Sequence, residues 1–270
     1  MGSLSYTIRI AMLNADTPVP NVRAKSKSYG TIFHNLLSDA ASRISPHTQI
    51  ESTDFDVVLG EYPETTSDFD AIIVTGSASS AYDDQPWINK LDTYLATVYD
   101  TTPRLKIFGS CFGHQILCQS LLGAFGCKVE KDPKGWELGV HGIRLTDDFR
   151  RVFPSAKKAL AHSHTTPGPQ DDTMRLQFVH ADHVKLPAEG LPKPWMLVGA
   201  TEHCAVQGVY EPGRVLTFQG HFEFDRFVNS ETIKVFGAKW EPTQYQKAMD
   251  LIDADDDAQA AAEMVLKFLL

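Results

Sequence analysis

Residues 106–115, KIFGSCFGHQ, have the types and spacing for nucleophilic chemistry. A short apolar run ends in Gly109-Ser110-Cys111-Phe112-Gly113, and an apolar segment of helical length, 116–122, follows. Strand, sharp turn and helix in that order make a nucleophile elbow, here with cysteine as the nucleophile. The flanking glycines remove Cβ atoms where the chain folds tightly and nears its neighbours. The sulfur then stands at the positive end of a helix, which favours thiolate over thiol. A bare Gly-x-Cys-x-Gly fits a buried structural cysteine equally well, so downstream residues must decide.

A thiol nucleophile needs a base, and the base needs a group that orients it. Of the ten histidines, His221 is the best placed, directly after the apolar run 215–218 and Gly220. Glu223 lies two residues on, and in an extended segment both side chains point the same way. The carboxylate can then hold the ring and its tautomer while the other nitrogen faces the thiol. The plainer alternative is a solvated His and Glu at a strand end. His162-x-His164 and His180-x-x-His183 resemble metal-ligand pairs, but no third ligand with regular spacing accompanies them, and no metal is expected. Cys118 and Cys127 read as packed thiols rather than a redox pair. Phe224, Phe227 and Trp240 read as core.

The elements that must position these residues are legible from periodicity. Residues 7–14 (TIRIAMLN), 49–58 and 70–75 read as strands, and 105–108 as the strand that enters the elbow. Residues 28–44 carry apolar side chains at helical spacing, and 87–98 form a helix opened by Pro86. Between them, 76–84 (GSASSAYDD) is a small-residue loop at the carboxyl end of a strand, where ligands of α/β sheets bind. A plain turn needing small residues is the alternative. Alternating strands and helices predict a doubly wound, mostly parallel sheet with helices on both faces. Beyond residue 123 the texture becomes a smaller β portion: strands are expected over pieces of 128–145, then 159–164, 176–180, 196–201, 205–210 and 215–218. Glu211-Pro212-Gly213 turns the last two into a hairpin. Helices are expected at 227–236 and 243–252, and a last one is capped by Asp255-Asp256-Asp257. With no repeat, low-complexity tract or linker, residues 1–270 are expected to form a single domain with a C-terminal helical extension at about 226–270.

Composition narrows the function. A net charge of −9 argues against a nucleic-acid partner, because phosphate binding needs a basic face. No run of about 18 apolar residues is present to span a membrane. The N-terminus lacks the basic and apolar regions of a secretory signal, and Tyr6 fails the myristoylation pattern. The four cysteines show no CxxC pair, so free thiols in a reducing cytoplasm are expected.

GSCFGHQ at 109–115 and GHFE at 220–223 together resemble the class I glutamine amidotransferase family, in its GMP-synthetase-like, stand-alone and γ-glutamyl-peptidase-like branch. Three further pieces lie in order between them: VTGSASSAYDDQPWI at 74–88 resembles the family's oxyanion loop, GWELG at 135–139 its post-elbow strand, and HADHV with Leu186-Pro187 its HGDxVxxLP segment. The resemblance covers most of 7–223 and implies a flavodoxin-like fold. It implies that Cys111 attacks the γ-carbonyl of a glutamine-type substrate, that His221 moves the proton, and that Glu223 orients His221. The oxyanion would meet the N–H of Phe112 and one near Gly76 or Ser77. Gln115 would help hold the glutamyl group, and His180, Ala181 and Asp182 would wall its amino-acid end. Three positions depart from the pattern: Ser110 replaces an aliphatic residue and is expected to point away from the thiol, Val179 replaces Ser, and Phe222 fills a slot where Pro is common.

The expected activity is hydrolysis of γ-glutamyl amide bonds through a γ-glutamyl thioester, as a glutaminase or as a peptidase on glutathione-like conjugates, without a cofactor. The alternatives are an ammonia-supplying subunit for a separate synthetase chain, since no synthetase segment follows within 270 residues, and an idle binding protein of the same fold.

Overall fold

The computed structural model describes residues 6–154 and 172–270. The strand expected at 159–164 and the pair His162 and His164 lie outside the described residues.

A seven-stranded sheet organises the described residues. Its parallel part is β2 (Thr48–Asp56), β1 (Tyr6–Asn14), β3 (Ala71–Val74), β4 (Lys106–Ser110) and β12 (Val215–Phe218). Alternate residues of one strand feed opposite layers, as strand geometry requires. Ile8, Ile10 and Met12 of β1 pack with Phe33 and Leu37 of α2 (Tyr29–Ile44). Ala11 and Leu13 face the other way, toward α3 (Pro86–Thr101) and α4 (Phe112–Leu122), through Leu91, Leu95 and Ile116. This is the doubly wound arrangement the sequence predicts. Ser28 opens α2 as its cap, its hydroxyl accepting from Thr31 N at 3.0 Å.

Antiparallel pieces complete the main sheet. The hairpin predicted around Glu211-Pro212-Gly213 joins β11 (Val209–Glu211) to β12, and β9 (Met196–Leu197) pairs with β11. A three-stranded antiparallel sheet contains β6 (Glu137–Leu145), β7 (Thr173–His180) and β10 (Gly199–Ala200), while β5 (Lys128–Lys131) pairs with β8 (Asp182–Lys185). The strands expected over 196–201 and 205–210 are thus shorter and differently placed. The first breaks at Val198 as the chain crosses between sheets. The second starts only at Val209, because 207–208 bond instead to the crossing segment, through Gln207 N to Gly199 O at 3.0 Å and Val198 N to Gly208 O at 2.9 Å. Short helices at Pro20–Arg23 (α1) and Asp147–Val152 (α5) were not predicted, being too brief to show a period.

The C-terminal helices are α6 (Arg226–Phe236), α7 (Pro242–Ile252) and α8 (Ala258–Leu269). Helix α8 lays Ala261, Met264 and Val265 into the core under β1 and α2. The expected aspartate cap is divided. Asp256 Oδ1 accepts from Ala258 N at 3.1 Å, whereas the Asp257 carboxylate is bound by Arg175 of β7 through the backbone N–H at 2.8 Å and the guanidinium at 3.2 Å. Asp257 therefore fastens α8 to the neighbouring sheet. No helix among the described residues is long and apolar enough to cross a membrane.

Two glycines allow the β4–α4 turn. A Cβ on Gly113 would lie 2.2 Å from Val74 O, and one on Gly109 would lie 2.5 Å from Gly113 O. Backbone atoms cannot yield as a side-chain tip can. Gly113→Ala is expected to lower folding stability by about 2–3 kcal/mol, as overpacking does, and chemical denaturation measures it.

Candidate active site

Cys111 sits between β4 and α4 with φ 51° and ψ −106°, the one non-glycine residue with positive φ among those described. Such a backbone costs about 1–3 kcal/mol and persists only where the surroundings enforce it. The enforcement is visible: Cys111 N donates to Phe218 O at 2.8 Å, and Cys111 O accepts from Gln115 N at 3.0 Å. The sulfur is carried over the end of the sheet, at the amino end of α4.

His221 arrives from β12 and is pinned by its backbone N–H, which donates to Gln177 O of β7 at 2.8 Å. The next side chain, Phe222, turns down into the core, edge-on to Phe33 at 5.3 Å and to Phe108 at 5.7 Å. Burying such a ring contributes about 2–3 kcal/mol and sets the alternation that leaves His221 and Glu223 pointing up together. Phe222 is thus an anchor for both polar neighbours, more than a filler of its slot. His221 Nδ1 and Glu223 Oε1 are 2.7 Å apart, and both residues are buried.

Thiol and imidazole meet over Gly76. A Cβ there would lie 3.1 Å from His221 Cε1 and 3.6 Å from Cys111 Cβ. His221 Nε2 is buried with no formed hydrogen bond among the described residues, yet it feels the sulfur's charge. Burial alone would lower the His221 pKa; the Glu223 carboxylate and the Cys111 sulfur outweigh it and raise the value from 6.5 to about 10. An imidazolium is therefore stable beside the sulfur at neutral pH. Phe224 stacks on the imidazole, with ring centres 4.0 Å apart and planes at 16°. It is core, as expected, and also a wall of the site. His114, in the first turn of α4, is no competing base: burial lowers it to about 3, and its Nδ1 meets Thr217 Oγ1 at 2.8 Å.

The other expected residues are placed as follows. Ser77 and Gly76 stand beside the thiol, and Phe112 begins α4 with its ring packed on Trp87. Gln115 lines the pocket, but its amide already donates to Asp182 O at 3.1 Å and to Gln219 Oε1 at 3.0 Å. His180 is buried and occupied: its ring meets Glu137 Oε2 at 2.8 Å and Asp182 O at 2.9 Å. Burial pushes Glu137 up, but its hydrogen bonds from His180, Thr201 and Gln207 prevail and hold it below its ordinary value. The Asp182 carboxylate accepts from Ser80 Oγ at 2.5 Å and Tyr82 Oη at 3.0 Å, tying the 76–84 loop to β8. Ala181 lines the same pocket. His183 does not join His180 at a common ligand; its Nδ1 lies 3.1 Å from Asp132 Oδ2, and no group of three metal-ligating side chains forms among the described residues. Cys118 and Cys127 are buried and free.

The roles of three residues at the site were not legible in the sequence, including that of Ser110, which was expected only to point away from the thiol. Ser110 Oγ donates to Glu223 Oε1 at 2.8 Å, so it points at the carboxylate that holds His221. Gln219 Nε2 donates to Cys111 Sγ at 3.5 Å. The period-2 row Gln219, His221, Glu223 was a usable signal for it. Tyr29, capping the far side of the cavity, is stacked on Phe224, and burial first, then the charges of Asp16, Glu223 and Cys111, raise its pKa so that it stays a neutral donor.

Two cavities meet at Cys111. The larger, about 420 Å³, is walled by Gln115, Lys131, Trp136, His180 and Asp182. The smaller, about 140 Å³, is walled by Asp16, Thr17, Tyr29, His221 and Phe224. Ser77, Ala78, Val179 and Phe236 border both.

Comparison with known proteins bears on the family and the fold. No family model matches the chain. A putative glutamine amidotransferase-like protein of Schizosaccharomyces pombe is 32% identical over 97% of this chain and 98% of its own length. Gamma-glutamyl peptidase 2 of Arabidopsis thaliana is 26% identical over 80% of this chain and 80% of its own. Among solved structures, a glutamine amidotransferase from Thermotoga maritima superposes with a TM-score of 0.69 over 97% of this chain and 98% of its own, at 15% identity, which is likeness of fold.

Proposed function

We propose that this chain, which belongs to the class I glutamine amidotransferase-like family, hydrolyses γ-glutamyl amide bonds through a γ-glutamyl thioester on Cys111. One observation carries the reading: a thiol on a strained elbow and an imidazole held by a buried carboxylate face each other over Gly76.

The glutamyl group enters the larger cavity, where Lys131 and Asp182 offer one charge of each sign to its zwitterionic amino-acid end. The proton shared by Cys111 and His221 rests on the imidazole, and the sulfur attacks the γ-carbonyl carbon. The oxyanion meets the Phe112 N–H and an N–H at Gly76 or Ser77, each worth about 3–4 kcal/mol. The C–N bond breaks as His221 returns the proton to the leaving nitrogen. Water, deprotonated by His221, then attacks the thioester, the C–S bond breaks, and glutamate leaves with the sulfur again beside a protonated His221. Glu223 keeps the ring in place and the imidazolium stable throughout. Gln219 steadies the sulfur, and Gln115 holds Gln219.

Support for a hydrolase of γ-glutamyl peptides comes from the Arabidopsis relative's name, and support for glutamine itself from the yeast relative's. Steady-state assay of amine release from glutamine and from γ-glutamyl dipeptides tests the reading. Release above the uncatalysed rate is expected, and none from any γ-glutamyl amide would contradict it.

Ser110 gives a prediction of its own. Its hydroxyl donates to a charged acceptor, a bond worth about 1.5–3 kcal/mol. Ser110→Ala is expected to lower kcat about tenfold with KM nearly unchanged, and Ser110→Thr to recover part of it, as steady-state kinetics would read.

A further inference from the structure

Resting on that reading, we infer that the smaller cavity receives the leaving amine and that Asp16 makes it reject leaving groups that carry a carboxylate.

The assignment of ends follows from proton transfer. The leaving nitrogen must lie where His221 can protonate it. His221 lines the smaller cavity and is absent from the walls of the larger one. The amine therefore departs past Gly76, toward Asp16, Thr17 and Tyr29. Charge separates the two cavities as well. The larger holds Lys131 against Asp182 and suits a zwitterion. Among the residues lining the smaller, Asp16 carries the one fixed charge apart from the thiol and imidazole themselves.

Asp16 is held in place. Its Oδ1 accepts from Thr17 N at 2.7 Å, and its Oδ2 accepts from Ala78 N at 2.8 Å. Those contacts fix the carboxylate across the cavity mouth and attach it to the 76–84 loop. An amine with a second anionic group would bring like charge toward it in a partly buried setting, where screening by water is weak. Ammonia and uncharged or cationic small amines meet no such opposition. The volume of about 140 Å³ agrees, since it holds a few water-sized groups and no large conjugate without reaching solvent at exposed Thr17. The favoured substrates are thus glutamine and γ-glutamyl amides of small non-acidic amines.

The test compares γ-glutamylglycine with γ-glutamylglycinamide, which differ at the leaving group's carboxylate. The wild-type protein is expected to cleave the amide with a kcat/KM about tenfold higher, a ratio that shrinks as salt rises from low ionic strength. Asp16→Asn is expected to bring the ratio close to one. Equal cleavage of the two by the wild type overturns the inference alone, as does a preference that survives Asp16→Asn in a folded variant. A uniform loss for every donor in Asp16→Asn, with the ratio intact, would place Asp16 on the glutamyl end and also overturn it. If Asp16→Asn does not fold, the wild-type ratio and its salt dependence still decide. Failure to cleave either donor or glutamine would overturn the proposed function and this inference together.

Discussion

Cys111→Ala is expected to lower kcat/KM for γ-glutamyl amides by at least about 10⁴-fold while leaving the melting temperature within a few degrees of wild type. The two halves of that result test different things. Activity falls because Cys111 is the one thiol bordering the two cavities among the described residues. Residual rate would come from the oxyanion donors and binding alone. Stability holds because alanine keeps the Cβ and thus the same constrained backbone at φ 51°. Cys111→Gly separates strain from chemistry. Glycine adopts that conformation freely, so the glycine variant is expected to be more stable than the alanine variant by about 1 kcal/mol, and equally inactive. Denaturant titration of the pair reads the strain directly.

The second large effect concerns charge at Glu223. Glu223→Gln keeps a carbonyl oxygen for His221 and Ser110 but removes the charge that opposes burial. The His221 value is raised from 6.5 to about 10, so the imidazolium persists below that range and is lost as pH climbs through about 10. Wild-type activity is expected to hold to high pH and fall near 10 on the basic side. In Glu223→Gln the basic limb is expected to move down by more than a unit and kcat to fall about 10³-fold, less than for the loss of Cys111. Stability carries the same sign. A raised value contributes stability that is full below about 6.5 and lost as pH rises through about 10, so wild type should weaken across that window and the variant much less. An unmoved basic limb would mean that His221 does not owe its charge to Glu223.

How much of this was written in the chain is best judged residue by residue. The elbow was legible because its glycines and cysteine are contiguous, and the turn they make is local. His221 and Glu223 were legible because two-residue spacing in extended chain is also local. Ser110 was not, because its meeting with Glu223 depends on β4 pairing with β12 in register, a contact across 113 positions. Phe222 showed its role only once Phe33 and Phe108 lay beneath it. Asp257 looked like a helix cap by sequence, yet the arrival of Arg175 on β7 diverts its carboxylate. The doubly wound sheet followed from period alone, whereas the short strands at 196–200 are set by crossing between sheets and leave no period to read. His180 and Asp182 were expected to face substrate, but whether such side chains are free depends on Glu137, Ser80 and Tyr82, which approach from elsewhere.

The central claim is a covalent γ-glutamyl intermediate on one sulfur. Mass spectrometry of protein acid-quenched during turnover of glutamine, followed by peptide mapping, addresses it most directly. A glutamyl adduct on the peptide containing Cys111, absent from Cys111→Ala, is the predicted result. Turnover that persists in Cys111→Ala, or an adduct that maps to another residue, would contradict the account.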